Sequence, residues 1–197
     1  MRMLSRALAV SVVLLLAACG SAPPAPVDRF YRLQADGTAA ALPPFEVRSV
    51  RADSLYAERP IVFSPADDPR QLRQYHYHLW LYPPAQAVKE HMLASMDGGL
   101  PRGGLTLEAR IVAFERVLDS SNGRAVVALD VSLGGEKGVL LQKRYRREQP
   151  AGDDSFSAFA TATERALQAI YGELRQDIGG LDVRVRDPHE DVPLPHP

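Results

Sequence analysis

Residues 105 to 133 constrain the fold of this chain more than any other stretch. Leu105, Leu107, Ala109 and Ile111 alternate with Thr106, Glu108 and Arg110; beyond an Asn122-Gly123 pair, Ala125, Val127, Leu129, Val131 and Leu133 alternate with Arg124, Asp130 and Ser132. A period of two sends successive side chains to opposite sides of a strand, so each segment has one apolar face to bury and one polar face to solvate. Asn-Gly accepts the positive φ angles of a tight hairpin, which makes the two strands antiparallel neighbours. A second turn, Gly134 to Gly138, leads into VLLQKRYRRE, which predicts a third strand and completes a meander.

The cover for that apolar face follows directly in the chain. Phe156, Phe159, Thr163, Leu167, Ile170, Leu174 and Ile178 fall on one stripe at helical spacing, Asp153 or Asp154 can cap the start, and Gly179-Gly180 ends it. An earlier helix is predicted from Ala85, Val88, Met92 and Met96, with Pro84 suited to its first turn and Gly98-Gly99 as the stop. Strand character marks Phe30 to Gln34, Phe45 to Val50, Pro60 to Ser64 and the aromatic run Gln71 to Tyr82, with Pro43-Pro44 and Pro83-Pro84 as punctuation. These elements predict an α+β fold: a single domain with a mainly antiparallel sheet, a C-terminal three-strand meander and two amphipathic helices packed on one face.

The start of the chain has a different character. MRMLSR carries Arg2 and Arg6, the apolar run Ala7 to Leu16 follows, and Leu16-Ala17-Ala18-Cys19 closes it. Ten residues of helix rise about 15 Å, half of a hydrocarbon core roughly 30 Å thick. The order of parts is that of a secretory signal over residues 1–18. Leu16, Ala17 and Ala18 before Cys19 resemble the lipobox of bacterial lipoproteins. That class implies cleavage before Cys19 and a thioether-linked diacylglycerol, with an amide-linked palmitate-type third chain. Several acyl chains make attachment lasting where one gives only marginal binding. Gly20 stands where an aspartate would mark inner-membrane retention, so the expected location is the outer membrane, lipid-anchored on its periplasmic side. Residues 19–27 read as lipidated cysteine plus Pro-rich tether, 28–180 as the folded domain, and 181–197, rich in Pro, His and charge, as a disordered tail.

Composition excludes one broad class. Twenty-three Lys and Arg face 24 Asp and Glu, a formal net charge of −1 that loses two more positive charges with the leader, which argues against a nucleic-acid binder. With its single cysteine acylated the chain keeps no thiol for a disulfide, so packing has to hold the domain.

The order of sequence pieces resembles the ABC-type transport auxiliary lipoprotein family, the PqiC-like partners of MCE-type intermembrane lipid transport systems. The resemblance is carried by FYRL soon after the cysteine, FEVRSVRA followed by PIVFS, YHYHLWLYPPAQAV entering a helix, LTLEARIVAFE opening the meander and FATATERALQAIYGEL closing the domain. It implies a non-enzymatic accessory lipoprotein that docks an MCE-domain protein or completes its path, beside an ABC ATPase and permease. It also implies a possible homo-oligomeric ring. A structural or assembly lipoprotein that plugs or scaffolds a barrel is the alternative, and an anchored periplasmic hydrolase a distant third.

Side chains that could carry chemistry are few. Neither G-x-S-x-G nor a phosphate-binding loop occurs, and Glu115 with Asp119, or Asp153 with Asp154, are carboxylate pairs common on turns and helix starts. His76 and His78 would share a face of a regular strand but make two ligands only; His91 sits on a helix, and His189 and His196 lie in the tail. No metal and no cofactor other than the covalent lipid on Cys19 is expected. Tyr75, Tyr77 and Tyr82 around Trp80 form a candidate partner surface, with Trp80 the expected core member and Tyr82 the expected exposed one. Lys143, Arg144, Arg146 and Arg147 form a basic run that could meet lipid headgroups or an acidic partner, or could keep an edge strand from stray pairing. On a strand, Lys143 and Arg147 take one face and Arg144 and Arg146 the other.

Overall fold

The computed structural model describes residues 25–35, 42, 45–65, 67–68, 70–96, 104–119, 122–136 and 138–181. The expected signal, lipobox with Cys19, start of the tether, Gly98-Gly99 stop and tail with His189 and His196 lie outside the described residues.

Seven strands build one sheet: β1 (Arg29–Tyr31), β2 (Glu46–Ala52), β3 (Pro60–Ser64), β4 (Arg73–Trp80), β5 (Thr106–Val117), β6 (Arg124–Gly135) and β7 (Gly138–Pro150). Helix α1 (Pro84–Ala94) follows β4, α2 (Phe156–Gly179) follows β7, and a 3-10 turn (Ser54–Ala57) joins β2 to β3. The order across the sheet is β1-β4-β3-β5-β6-β7, with β2 also on β5. The expected α+β domain and its meander are present, and the sheet is mixed. β3–β4, β5–β6 and β6–β7 pair antiparallel; β1–β4, β2–β5 and β3–β5 pair parallel. Parallel pairing follows from the long connections: the chain leaves β2 and returns to β5 only after two strands and a helix.

Strands β2 and β3 share one side of β5. β2 is paired with Thr106 to Ile111 and β3 with Glu115 to Val117. Between them β5 slips register, between Ile111 and Ala113. The slip changes which parity faces inward: Leu107, Ala109 and Ile111 are buried before it, Phe114 and Arg116 after it. β6 has no such slip against β5's inward side, so Ala125, Val127, Leu129, Val131 and Leu133 are all within the core. The polar face is not uniformly polar, because Val62, Val126 and Ala128 are 2% exposed or less on it. The Tyr56 hydroxyl of the 3-10 turn donates there to Glu115, which stands between Val62 and Val126 in the ladder.

Helix α2 lies across β6 and β7 and buries Phe159, Leu167, Ile170 and Leu174. Each such side chain contributes about 1.5–3 kcal/mol when fully buried. Ala162 and Ala166, both fully buried, let the helix approach closely, and the buried Thr163 hydroxyl donates to the Phe159 carbonyl at 2.9 Å. The cap is Ser155 rather than either aspartate: its oxygen accepts from the Ala158 amide at 3.0 Å. Asp153 instead accepts from the Ser155 amide at 2.7 Å, fixing the turn that presents the cap. Gly180 is the C-cap, as the Gly-Gly pair foretold. Helix α1 packs on β2, with Val88 and Met92 buried in the same core as α2. The two helices meet where His91 Nδ1 lies 3.4 Å from the Tyr171 hydroxyl. α1 begins at Pro84 as expected and ends earlier than expected, with Ser95 as C-cap; Met96 lies beyond it in a bridge to Leu42.

Candidate interaction surface

Strand β4 divides the tyrosine run between two faces. Tyr75 and His78 both turn inward, toward the first residue of α2. The His78 ring stacks on Phe156 with centroids 3.6 Å apart and planes 6° from parallel, and Tyr75 meets the same ring edge-on at 4.7 Å. Tyr31 of β1 joins from the edge, its ring 5.5 Å from Phe156 and its hydroxyl 3.0 Å from His78 Nδ1. Phe63 stacks on Tyr75 from β3 at 4.2 Å. Beneath the group the Arg116 guanidinium, 5% exposed, stands 5.1 Å from the centre of Phe156 and donates to the Asp154 carbonyl at 2.6 Å. The buried cation is held by the Asn122 and Asp154 carbonyls and by an aromatic face, while its Nε, also buried, has no hydrogen-bond partner among the described residues.

The register of β4 against β3 is irregular between Pro60 and Val62, so the period of two fails there. His76 is exposed beside Tyr77 while His78 is half-buried in the aromatic group. The two histidines therefore do not share a face, and among the described residues no group of three His, Cys, Asp or Glu could hold a metal ion. Burial, with the charges of Arg29 and Arg116 adding to it, pushes the His78 ring below its ordinary range. Burial raises the Tyr75 hydroxyl. Trp80 is 1% exposed, between Phe114 and Phe159, whereas Tyr77 and Tyr82 are 45% and 43% exposed. Of the tyrosines expected at a surface, Tyr77 and Tyr82 are on it and Tyr75 is structural. Leu81, Tyr82, Leu33 and Tyr31 line a groove of about 270 Å³ against Ala87 and His91 of α1.

The basic run on β7 splits as its spacing required. Lys143 and Arg147 face the helix. Lys143 Nζ reaches Asp177 at 2.7 Å, the Tyr145 hydroxyl donates to the same carboxylate at 2.6 Å, and Arg147 pairs with Glu173. Those contacts lower Asp177, while burial, then the Asp177 bond and charge, raise Tyr145. On the other face Arg144 pairs with Asp130 and Arg146 with Glu148 at 2.7 Å. Asp130 also receives Arg110 at 2.9 Å, and the two guanidiniums, Arg144 foremost, pull it down to about 2. Arg51 and Glu108 complete a polar trough of about 560 Å³ around this triad. All four cations of the run thus have acidic partners within the chain, while the trough itself is lined by Arg51, Arg110, Lys143 and Arg144 against Glu108 and Asp130. Three of the four carboxylates of the sequence pairs are similarly occupied: Glu115 by Tyr56, Asp119 by Arg124 at 2.9 Å, Asp153 by the Ser155 amide.

Sequence reasoning missed Arg116 and Phe156 as the centre of the aromatic group, and missed Arg110 and Asp130 as the centre of the trough. Arg110 and Asp130 are directly opposite in the β5–β6 ladder, a pairing derivable once the hairpin register is known. Arg116 carries no such signal, since its burial depends on the slip in β5.

No family model matches the chain, and no curated protein does. Solved structures do. An uncharacterised protein superposes with a TM-score of 0.61 at 14% identity, over 77% of this chain and 99% of that one. A Xanthomonas campestris protein of family DUF330 superposes with a TM-score of 0.59 at 18% identity, over 74% of this chain and 92% of its own. At such identities the likeness is one of fold, and the domain described above has the fold of that DUF330 protein.

Proposed function

We propose that this chain is a lipoprotein anchored to the outer membrane through acyl chains on Cys19, facing the periplasm, and that it serves as a non-enzymatic accessory component of an ABC/MCE-type lipid transport system. The observation that carries the reading is a DUF330-type fold spanning most of the chain behind a lipobox. A docking role is supported by the exposed Tyr77 and Tyr82 and by a polar trough lined by more cations than carboxylates; of the candidate bases, Glu115, Asp119 and Asp153 are each engaged by a neighbour. The experiment is purification from native membranes, followed by mass spectrometry of the N-terminal peptide and of co-purifying proteins. A diacylglyceryl or triacyl mass on Cys19 together with an MCE-domain protein is the expected result. An unmodified Cys19 on protein free in the periplasm overturns the anchor. Capture of a barrel protein without any MCE protein overturns the transport role in favour of an assembly role.

A further inference from the structure

Nine large hydrophobic side chains are conspicuously exposed among the described residues, and six of them lie on or beside β1 and β4: Val27, Phe30, Leu72, Tyr77, Leu81 and Tyr82. They are not remnants of the core. Phe30 pairs with Leu79 across the ladder, on the face away from Tyr31 and Trp80, and is 50% exposed. Tyr77 precedes His78, whose ring is turned inward, and itself faces solvent. The Arg59 guanidinium lies 4.9 Å over the Phe30 ring and donates to the Trp80 carbonyl, so a fixed cation borders the aromatics. Arg29 and Arg32 are exposed on either side of them, with Asp28 and Glu58 as acidic neighbours.

Aromatic rings beside arginines suit the headgroup level of a bilayer, where a ring buries its apolar body and the cation meets phosphate. The path of the chain says which surface would cover them. Arg29 follows Cys19 by ten residues, and an extended chain of that length spans at most about 35 Å. β1 is therefore the strand held nearest the anchor, within that span of it. Val139 and Leu140, the exposed pair at the β6–β7 hairpin, sit five strands away in the sheet order, about 24 Å farther across it.

We propose that the β1–β4 edge rests on the same bilayer that carries the anchor, with Phe30 and Tyr77 at headgroup depth. This rests on acylation of Cys19, and the test separates the two. Acylated protein, its lipopeptide verified by mass, is reconstituted into phosphatidylethanolamine–phosphatidylglycerol vesicles with a fluorophore on Phe30→Cys, Tyr77→Cys or Val139→Cys. Nitroxide-labelled lipid is expected to quench the first two at least threefold more strongly than the third. Equal quenching at all three positions overturns the proposal. So does shielding of the first two from aqueous iodide without quenching by lipid, since another protein surface then covers the edge. If Cys19 proves unmodified, the anchor reading fails by itself and the edge is judged by flotation of the unacylated chain with the same vesicles. Binding that falls at least fivefold in Phe30→Ser/Tyr77→Ser supports the edge, and absence of binding, or no change in the double variant, overturns it.

Discussion

Strand β6 is paired along its whole length with β7 and from Arg124 to Gly134 with β5, whereas β1 touches the sheet through three residues and one neighbour. The first region is held by continuous ladders and by α2; the second by rings stacked around Phe156 and the buried Arg116. In the first, one residue's contribution is repeated by the next along the ladder. In the second, Tyr31, Tyr75 and His78 depend on a single side chain contributed by the last helix. Stability should therefore be uneven, with the β1 edge opening at lower free energy than the meander.

The largest test strikes the strong region. Leu129→Ala, at a fully buried position in β6, should cost about 2–5 kcal/mol in urea unfolding and lower protection throughout the domain. Phe156→Ala should cost less, about 1–3 kcal/mol, with amide exchange accelerated on β1 and β4 and little changed on β6. Equal acceleration on β6 would mean that the two regions open as one unit, and the contrast drawn above would be wrong. Protonation probes the weak region more gently. His78 is depressed in the folded chain, so below about 6.5, its ordinary value, the unfolded state takes up the proton first and stability falls as pH decreases through the lower folded value. The urea midpoint should drop between pH 7.5 and 5.5, and His78→Gln should flatten that slope. The smallest effect belongs to the exposed ion pairs: Asp130→Asn should cost at most about 1 kcal/mol, a loss that shrinks in high salt.

The regions also differ in how far the sequence disclosed them. Alternation from Leu105 to Ile111 and from Ala125 to Leu133, joined by Asn122-Gly123, is local information, and so is the stripe from Phe159 to Ile178. Their pairing and packing were readable for that reason. The parallel contacts of β2 and β3 with β5 join segments more than fifty residues apart, and nothing in either segment names its partner. The slips of β5 against β6 and of β3 against β4 were equally hidden. One buries Arg116, on the strand whose flank β2 and β3 share; the other, between β3 and β4, separates His76 from His78. The N-cap of α2 was misplaced by one or two residues because Asp153 and Ser155 both suit the position, and the turn geometry decides between them. Among the candidate surface residues, spacing foretold the faces of the β7 cations but not the acids on α2 that meet Lys143 and Arg147.

Strand β1 is made first and secured last. Its ladder partners, His78 to Trp80, come almost fifty residues later, and the ring on which Tyr31 and His78 both lean belongs to residue 156. During synthesis, or on emergence from any channel in amino-to-carboxyl order, the leading segment has nothing to settle on until most of the domain has appeared. The seam at β1 is thus the place where a nascent chain stays open longest and where a holding chaperone would find its grip.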